Sequence, residues 1–211
     1  MDDPHALNKY LGCFHHFLET TANGEKLTTI QFDMADYFRS ACEIFIAETG
    51  ETLKPAPTPF APEINSEDLD HLLNTSGKFS GKAASFIMKL MYGARMAMPQ
   101  ICVIVSRLAS QITKWSADSD RRLLRVYGYL HANADKVLTG TLAKSDRKHL
   151  KVIAWPDADL NGDFMSTKST DGFFVELAGR NGRASPWPGA PTNRDRRRCT
   201  PQRPRQCPSL Q

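Results

Sequence analysis

The sequence is poor in several features that would point to export or to a covalent framework. None of its five cysteines (Cys13, Cys42, Cys102, Cys199 and Cys207) forms a C-x-x-C pair. The odd count argues against a set of disulfides. Cys42 and Cys102 lie in apolar helical contexts, which predicts buried thiols. There is no run of eighteen apolar residues, so no transmembrane helix is expected. The opening, MDDPHALNKY, lacks the basic-then-apolar order of a signal peptide. The expected setting is therefore intracellular, cytoplasmic or nuclear, and reducing, with no membrane partner. Basic charge is scarce outside one end. The formal net charge is +4, yet 183–211 alone carries seven arginines against one acid, Asp195, which leaves −2 on the rest of the chain. A nucleic-acid argument from overall charge rests on that tail, whose arginines would bind phosphate weakly and without sequence preference.

What is present is a globular composition. At 211 residues and 41% hydrophobic, the chain suits one domain or two small ones. Residues 1–32 are mixed. Tyr10, Leu11, Phe14, Phe17 and Leu18 give some apolar spacing, and Thr28–Phe32 reads as a short strand. Tyr37, Phe38, Ala41, Ile44 and Phe45 recur at three and four residues, which predicts a helix from Met34 to about Glu48 with Gly50 as its stop. Four prolines in KPAPTPFAPE (Pro55, Pro57, Pro59, Pro62) exclude helix and central strand and predict an extended strap. The acidic run from Glu63 to Asp70 reads as its continuation.

Ala84–Met96 is a second helix. Pro99 suits the first turn of a third, with Ile101, Ile104, Val105, Leu108 and Ile112 as its stripe. A fourth runs from Ala117 to Ala132. Ser116 is its N-cap, Asp118 and Asp120 lie in its first turn, and Leu123, Leu124, Tyr127, Leu130 and His131 form its inner face. The period then changes, and Val137–Ala143, Leu150–Trp155 and Gly172–Leu177 read as strands. From Arg183 onward, six prolines and seven arginines with few aliphatics predict disorder.

Four segments invite a chemical reading. Asp157, Asp159, Asn161 and Gly162 match the opening of a calcium-binding loop, but its twelfth position, a bidentate glutamate in that motif, is Lys168. The same acids could instead sit at a strand end that holds Mg²⁺ for phosphodiester hydrolysis, which takes several carboxylates. The plain alternative is a solvated turn. Gly77–Lys82 (GKFSGK) approaches a phosphate loop but has one residue too few and no Ser or Thr after the lysine, so a flexible hinge is expected. Cys13, His15 and His16 match no ligand spacing, and adjacent histidines point apart. His131 reads as a core-edge residue.

Taken in order, several segments resemble copia-type retrotransposon Pol polyproteins. DPHALNKYLGC resembles the reverse transcriptase segment in which an acidic turn leads to a Y/F-L-G strand. MADYFRSACEIFIAETG with KPAPTPFAP resembles the following helix and K-P-x-x-T-P strap. Lys89–Met98 with Pro99-Gln100-Ile101 resembles the L-x-Y-x-x-x-x-R-P-D-I junction, and Arg122–Leu130 the R-x-L-R-Y-L helix. WPDADLNGD with Thr167–Thr170 and Gly172-Phe173 resembles S-D-A-D-W-A-G-D…R-K-S-T-S-G-Y, which opens the ribonuclease H domain. The resemblance covers roughly residues 2–182.

The resemblance implies an α+β fold in several parts. These are a palm and thumb remnant with its strap (1–62), a flexible linker (63–83), a helical connection region (84–143), the first strands of an incomplete ribonuclease H-like sheet (144–182) and a disordered tail (183–211). In the intact family the activity is RNA-directed DNA synthesis with ribonuclease H, the cofactor is Mg²⁺ and the partner is an RNA–DNA hybrid. By resemblance Asp157 is the first metal-binding carboxylate. The family's polymerase aspartates lie upstream of the first matching motif, and Asp2-Asp3 lacks the strand and tyrosine that precede that pair. Pro156 and Leu160 replace a serine and a tryptophan of the family pattern. The later glutamate, in S-S-T-E-A-E-Y, is not found after residue 187. The expectation is a chain with no working active site and no functional metal, ending in a tail read out of frame.

Overall fold

A computed structural model describes residues 8–159, 169–180, 182–186 and 194–196. Among them are five α-helices and two antiparallel sheets. No helix among these residues is long and apolar enough to cross a membrane.

The first sheet has the order β1-β2-β3-β4. β1 (Lys9–Tyr10), β2 (Cys13–Ala22) and β3 (Glu25–Asp33) form a meander from the segment that reads as mixed in the sequence. The turn between β2 and β3 is Asn23-Gly24, with φ of 53° and 76°. Both residues therefore have the positive φ that a two-residue hairpin needs, and N-G is the strongest short-range sign of one. β4 (Leu138–Ala143) then lies antiparallel on β3, from Leu27↔Ala143 to Phe32↔Leu138. The strand expected at 137–143 exists, but it closes the N-terminal sheet rather than trailing the helices.

The β1–β2 turn is less well matched. Leu11 has φ 49° and Gly12 φ 82°. A leucine in the left-handed region costs on the order of 1–2 kcal/mol, and Leu11 is exposed, so packing returns little. Asparagine tolerates this region. Leu11→Asn is therefore expected to raise stability by roughly 0.5–1 kcal/mol, read as a higher urea midpoint. A lower midpoint would mean that the leucine side chain makes a contact worth more than the strain.

The helices are α1 (Ala35–Thr49), α2 (Ser66–Asn74), α3 (Ala83–Met96), α4 (Cys102–Ser110, entered through a 3-10 turn at Pro99–Ile101) and α5 (Ala117–Asn133). Gly50 ends α1 in the left-handed conformation and donates to the Ile46 carbonyl. Ser116 caps α5, with reciprocal 3.4 Å bonds between its own and Ser119's backbone N–H and hydroxyl groups. Phe38 and Phe45 of α1, Phe86 and Leu90 of α3, Ile104 and Leu108 of α4, and Leu123, Tyr127 and Leu130 of α5 share one core. At its centre the Phe45 and Tyr127 rings stack 4.0 Å apart. Each of these buried leucine, isoleucine and phenylalanine side chains contributes about 1.5–3 kcal/mol. Cys42 and Cys102 are buried, as their apolar contexts predict. Burial pushes the Cys42 thiol up to about 11.

Three sequence-based expectations are corrected here. The acidic segment after Glu63 is not extended, because Asn65 accepts from Asp68 N–H and starts α2. The capping residue and the half-buried Leu69, Leu72 and Leu73 outweigh the charge. His131 is exposed, and Val126 takes the inward position on α5. The expected disorder from Arg183 fails for its first residues, since Arg183 is half-buried and Ala184–Pro186 is a strand.

The second sheet contains β5 (Lys151–Asp159), β6 (Ser169–Ala178), β7 (Ala184–Pro186) and β8 (Arg194–Arg196). β6 pairs with all three others, and β5 forms one edge. An edge is where a strand tolerates proline, and Pro156 sits there opposite Phe173. None of the described residues of this sheet belongs to the main core, and Val152 and Trp155 of β5 are exposed.

Candidate functional site

Asp157 lies near the end of β5, paired with Gly172 of β6. Its side chain, like the whole of 160–168, lies outside the described residues, so the calcium-loop and Mg²⁺ readings of Asp157–Lys168 fall there too. The flanking structure bears on one of them. Pairing of β5 with β6 continues to Asp159↔Thr170, so the acidic segment joins two strands, whereas an EF-hand loop joins two helices. Among the described residues no group of three or more His, Cys, Asp or Glu is placed to hold a metal ion.

The phosphate-loop-like segment Gly77–Lys82 is not a hinge. The Asp120 carboxylate accepts from the backbone N–H of Lys78, from that of Phe79 at 3.2 Å and from Trp115 Nε1 at 2.6 Å. A carboxylate of the chain itself thus takes the N–H groups that a phosphate would use. Asp120 reads from sequence as a residue favoured by the helix dipole. Its buried, three-donor role has no local signature beyond its closeness to Trp115.

Cys13 and His15 point into the protein and His16 points out, as adjacent positions on a strand must. His16 Nε2 lies 3.2 Å from Asp33 Oδ2. Burial lowers the pKa of His15 and raises that of the Cys13 thiol.

The most developed surface is the seam between the proline strap and α5. Ala56 N–H donates to the Gly128 carbonyl at 3.3 Å. A Cβ on Gly128 would fall on the Lys54 carbonyl oxygen, so only glycine lets the strap lie this close. One turn earlier, Arg125 donates through Nε to Thr58 O at 3.0 Å and through Nη2 to Thr58 Oγ1 at 3.3 Å. Another turn earlier, Arg121 Nη1 reaches Pro62 O at 2.8 Å. Proline removes backbone donors but leaves carbonyls, and the arginines at helical spacing supply the missing donors. The buried Asp118 carboxylate orients Arg121 and its neighbour Arg122. It accepts from Arg121 Nη2 at 2.7 Å and from Arg122 Nε at 2.5 Å. Cavities of about 380 Å³ and 550 Å³ flank Arg121. The larger is walled by Phe60, Ile64, Leu69, Leu73 and Leu108 with Arg107 and Arg122. The walls combine guanidinium groups with apolar side chains, and the carboxylates of Glu51, Glu63 and Asp118 also line them.

A second cluster joins the two sheets. The buried Asp146 carboxylate takes both arms of Arg183, Nε to Oδ2 at 2.7 Å and Nη2 to Oδ1 at 2.8 Å. It also accepts from the backbone N–H groups of Ala143 and Arg180, each at 2.8 Å. Arg183 Nη1 reaches Glu25 Oε2 at 3.0 Å. The Arg183 guanidinium and these donors hold the Asp146 carboxyl far below the usual carboxylate range. One of the seven tail arginines is thereby committed to the fold. Comparison with protein-family models, curated proteins and solved structures finds no match to this chain.

Proposed function

We propose that this chain is a piece of a copia-type retrotransposon polyprotein, running from the end of the reverse transcriptase into the start of the ribonuclease H, and that it is inactive by itself. The observation that carries the reading is the order of five family-like motifs along roughly residues 2–182. One of them coincides with a helix and one with the strap. MADYFRSACEIFIAETG fills α1 up to its Gly50 stop, KPAPTPFAP is the strap on α5, and WPDADLNGD begins within β5. In the intact element this region would hold an RNA–DNA hybrid, with Mg²⁺ at the ribonuclease H site.

Asp157 is the one residue that matches a metal-binding carboxylate of that site, and two-metal hydrolysis takes several. On this reading any change of frame falls after Pro186, because Arg183 and Ser185 are fitted into the fold. A Cβ on Gly140 of β4 would collide with Ser185. The test is hydrolysis of a labelled RNA–DNA hybrid with Mg²⁺ and with Mn²⁺, comparing the chain with Asp157→Asn. No cleavage by either is expected. Cleavage by the parent that vanishes in the variant would overturn the reading.

A further inference from the structure

We propose that Thr58 is a phosphoacceptor for a proline-directed protein kinase and that its phosphate docks on Arg125, locking the strap to α5. The proposal is independent of the retrotransposon reading.

Three observations meet at this residue. Thr58 is exposed and lies in a bend between Pro57 and Pro59, its hydroxyl donating to the Phe60 carbonyl at 3.4 Å. An exposed threonine followed directly by proline is the sequence that a proline-directed kinase takes, and the bend must open for it to enter the kinase's active site. The Thr58 hydroxyl already lies 3.3 Å from Arg125 Nη2, while Arg125 Nε holds the Thr58 carbonyl at 3.0 Å. The guanidinium therefore faces the acceptor oxygen with a second arm. A phosphate there would replace one long bond from the guanidinium to a neutral hydroxyl with shorter ion-paired bonds in fork geometry. Arg125 also lines the 380 Å³ cavity with Lys54 and Arg121, and the acid beside them, Glu51, is paired with Lys78 at 2.7 Å.

In the transfer, the Thr58 hydroxyl oxygen attacks the terminal phosphorus of a nucleoside triphosphate. A new P–O bond forms as the bond to the nucleoside diphosphate breaks, and the hydroxyl proton passes to the kinase's base. The strap must lift briefly for this, because Pro59 is buried and the Thr58 carbonyl is bonded. The modified strap then settles more firmly than before. Ser185-Pro186 is an internal control. It carries the same dipeptide order, but Ser185 is buried against Gly140 and should stay unmodified while the chain is folded.

The experiment treats the full chain with a proline-directed kinase and Mg-ATP, maps phosphate by mass spectrometry, and follows chymotryptic cleavage after Phe60, an exposed residue of the strap. Phosphate is expected on Thr58 and absent from Ser185. Cleavage should slow by about tenfold, the factor given by one added charge-assisted hydrogen bond. In Arg125→Gln, Thr58 should still accept phosphate, with no slowing relative to the unmodified variant. An unmodified Thr58, unchanged cleavage after modification, or equal protection in Arg125→Gln would each overturn the proposal.

Discussion

Replacing Asp120 by alanine is expected to cost about 4 kcal/mol, roughly the sum of three buried donors left without an acceptor. The donors are the backbone N–H groups of Lys78 and Phe79 and the Trp115 indole. The Lys78 and Phe79 donors lie in the 75–82 loop, whose other ties are the Ser76↔Ser116 bridge with its flanking bonds at Gly77 and Thr75 and the surface ion pairs of Lys78 with Glu51 and Lys82 with Glu48. Phe79 rides on this loop into the core, edge-on to Phe45 at 5.5 Å. Loss of the carboxylate therefore frees the loop and withdraws an aromatic side chain. Asp120→Asn keeps one carbonyl acceptor and should recover a good part of the loss. Urea unfolding of the three chains checks this. A loss below about 1 kcal/mol for the alanine variant would mean that the loop is held by other contacts and that Asp120 is incidental.

Arg183→Met should rank with the most destabilising single changes in the chain. It leaves the Asp146 carboxylate buried without its cation, and breaking one side of such a pair is far worse than never having it. The effect should be local at first. β5 to β7 are attached to the first sheet through this pair and through Ser185 against Gly140, so fluorescence of the exposed Trp155 should change before the helical core unfolds.

The pH dependence follows from the depressed pKa of Asp146. A carboxyl held below its unfolded value adds stability that is fully present above the ordinary carboxylate range. That stability is lost as pH falls through the ordinary range toward the folded value. The thermal midpoints of the parent and Arg183→Met should thus lie furthest apart near neutral pH and converge on acidification. A constant gap from neutral pH down through the carboxylate range would show that the pair contributes no charge-dependent stability.

Much of the helical half was legible because its information is local. Tyr37, Phe38, Ala41 and Phe45 repeat within one helix, the four strap prolines forbid helix wherever the chain goes, and Ser116 caps its own helix. The sheets were harder. Residues 1–32 read only as mixed with one short strand, although Asn23-Gly24 turns a hairpin there, because the alternation on either side is blurred: His16, Phe17 and Leu18 are all exposed on β2. The candidate site was legible only as a list of residue types. Asp157 stood out as an acid at a strand end, whereas Asp120 and Arg183 read as a helix-dipole residue and one tail arginine among seven, and nothing local singles out Asp146.

The sequence alone determined the helices α1, α3, α4 and α5 and that the strap is not helical, since periodicity, proline geometry and capping act over a few residues. Only the tertiary structure decided that β4 returns to β3, that Asp120 takes the place of an anion in the 75–82 loop, and that Arg183 closes on Asp146. Each joins groups far apart in the chain. A ladder partner or a buried counter-charge is selected by the space and the unsatisfied donors left when the rest has packed, and no residue carries that information by itself.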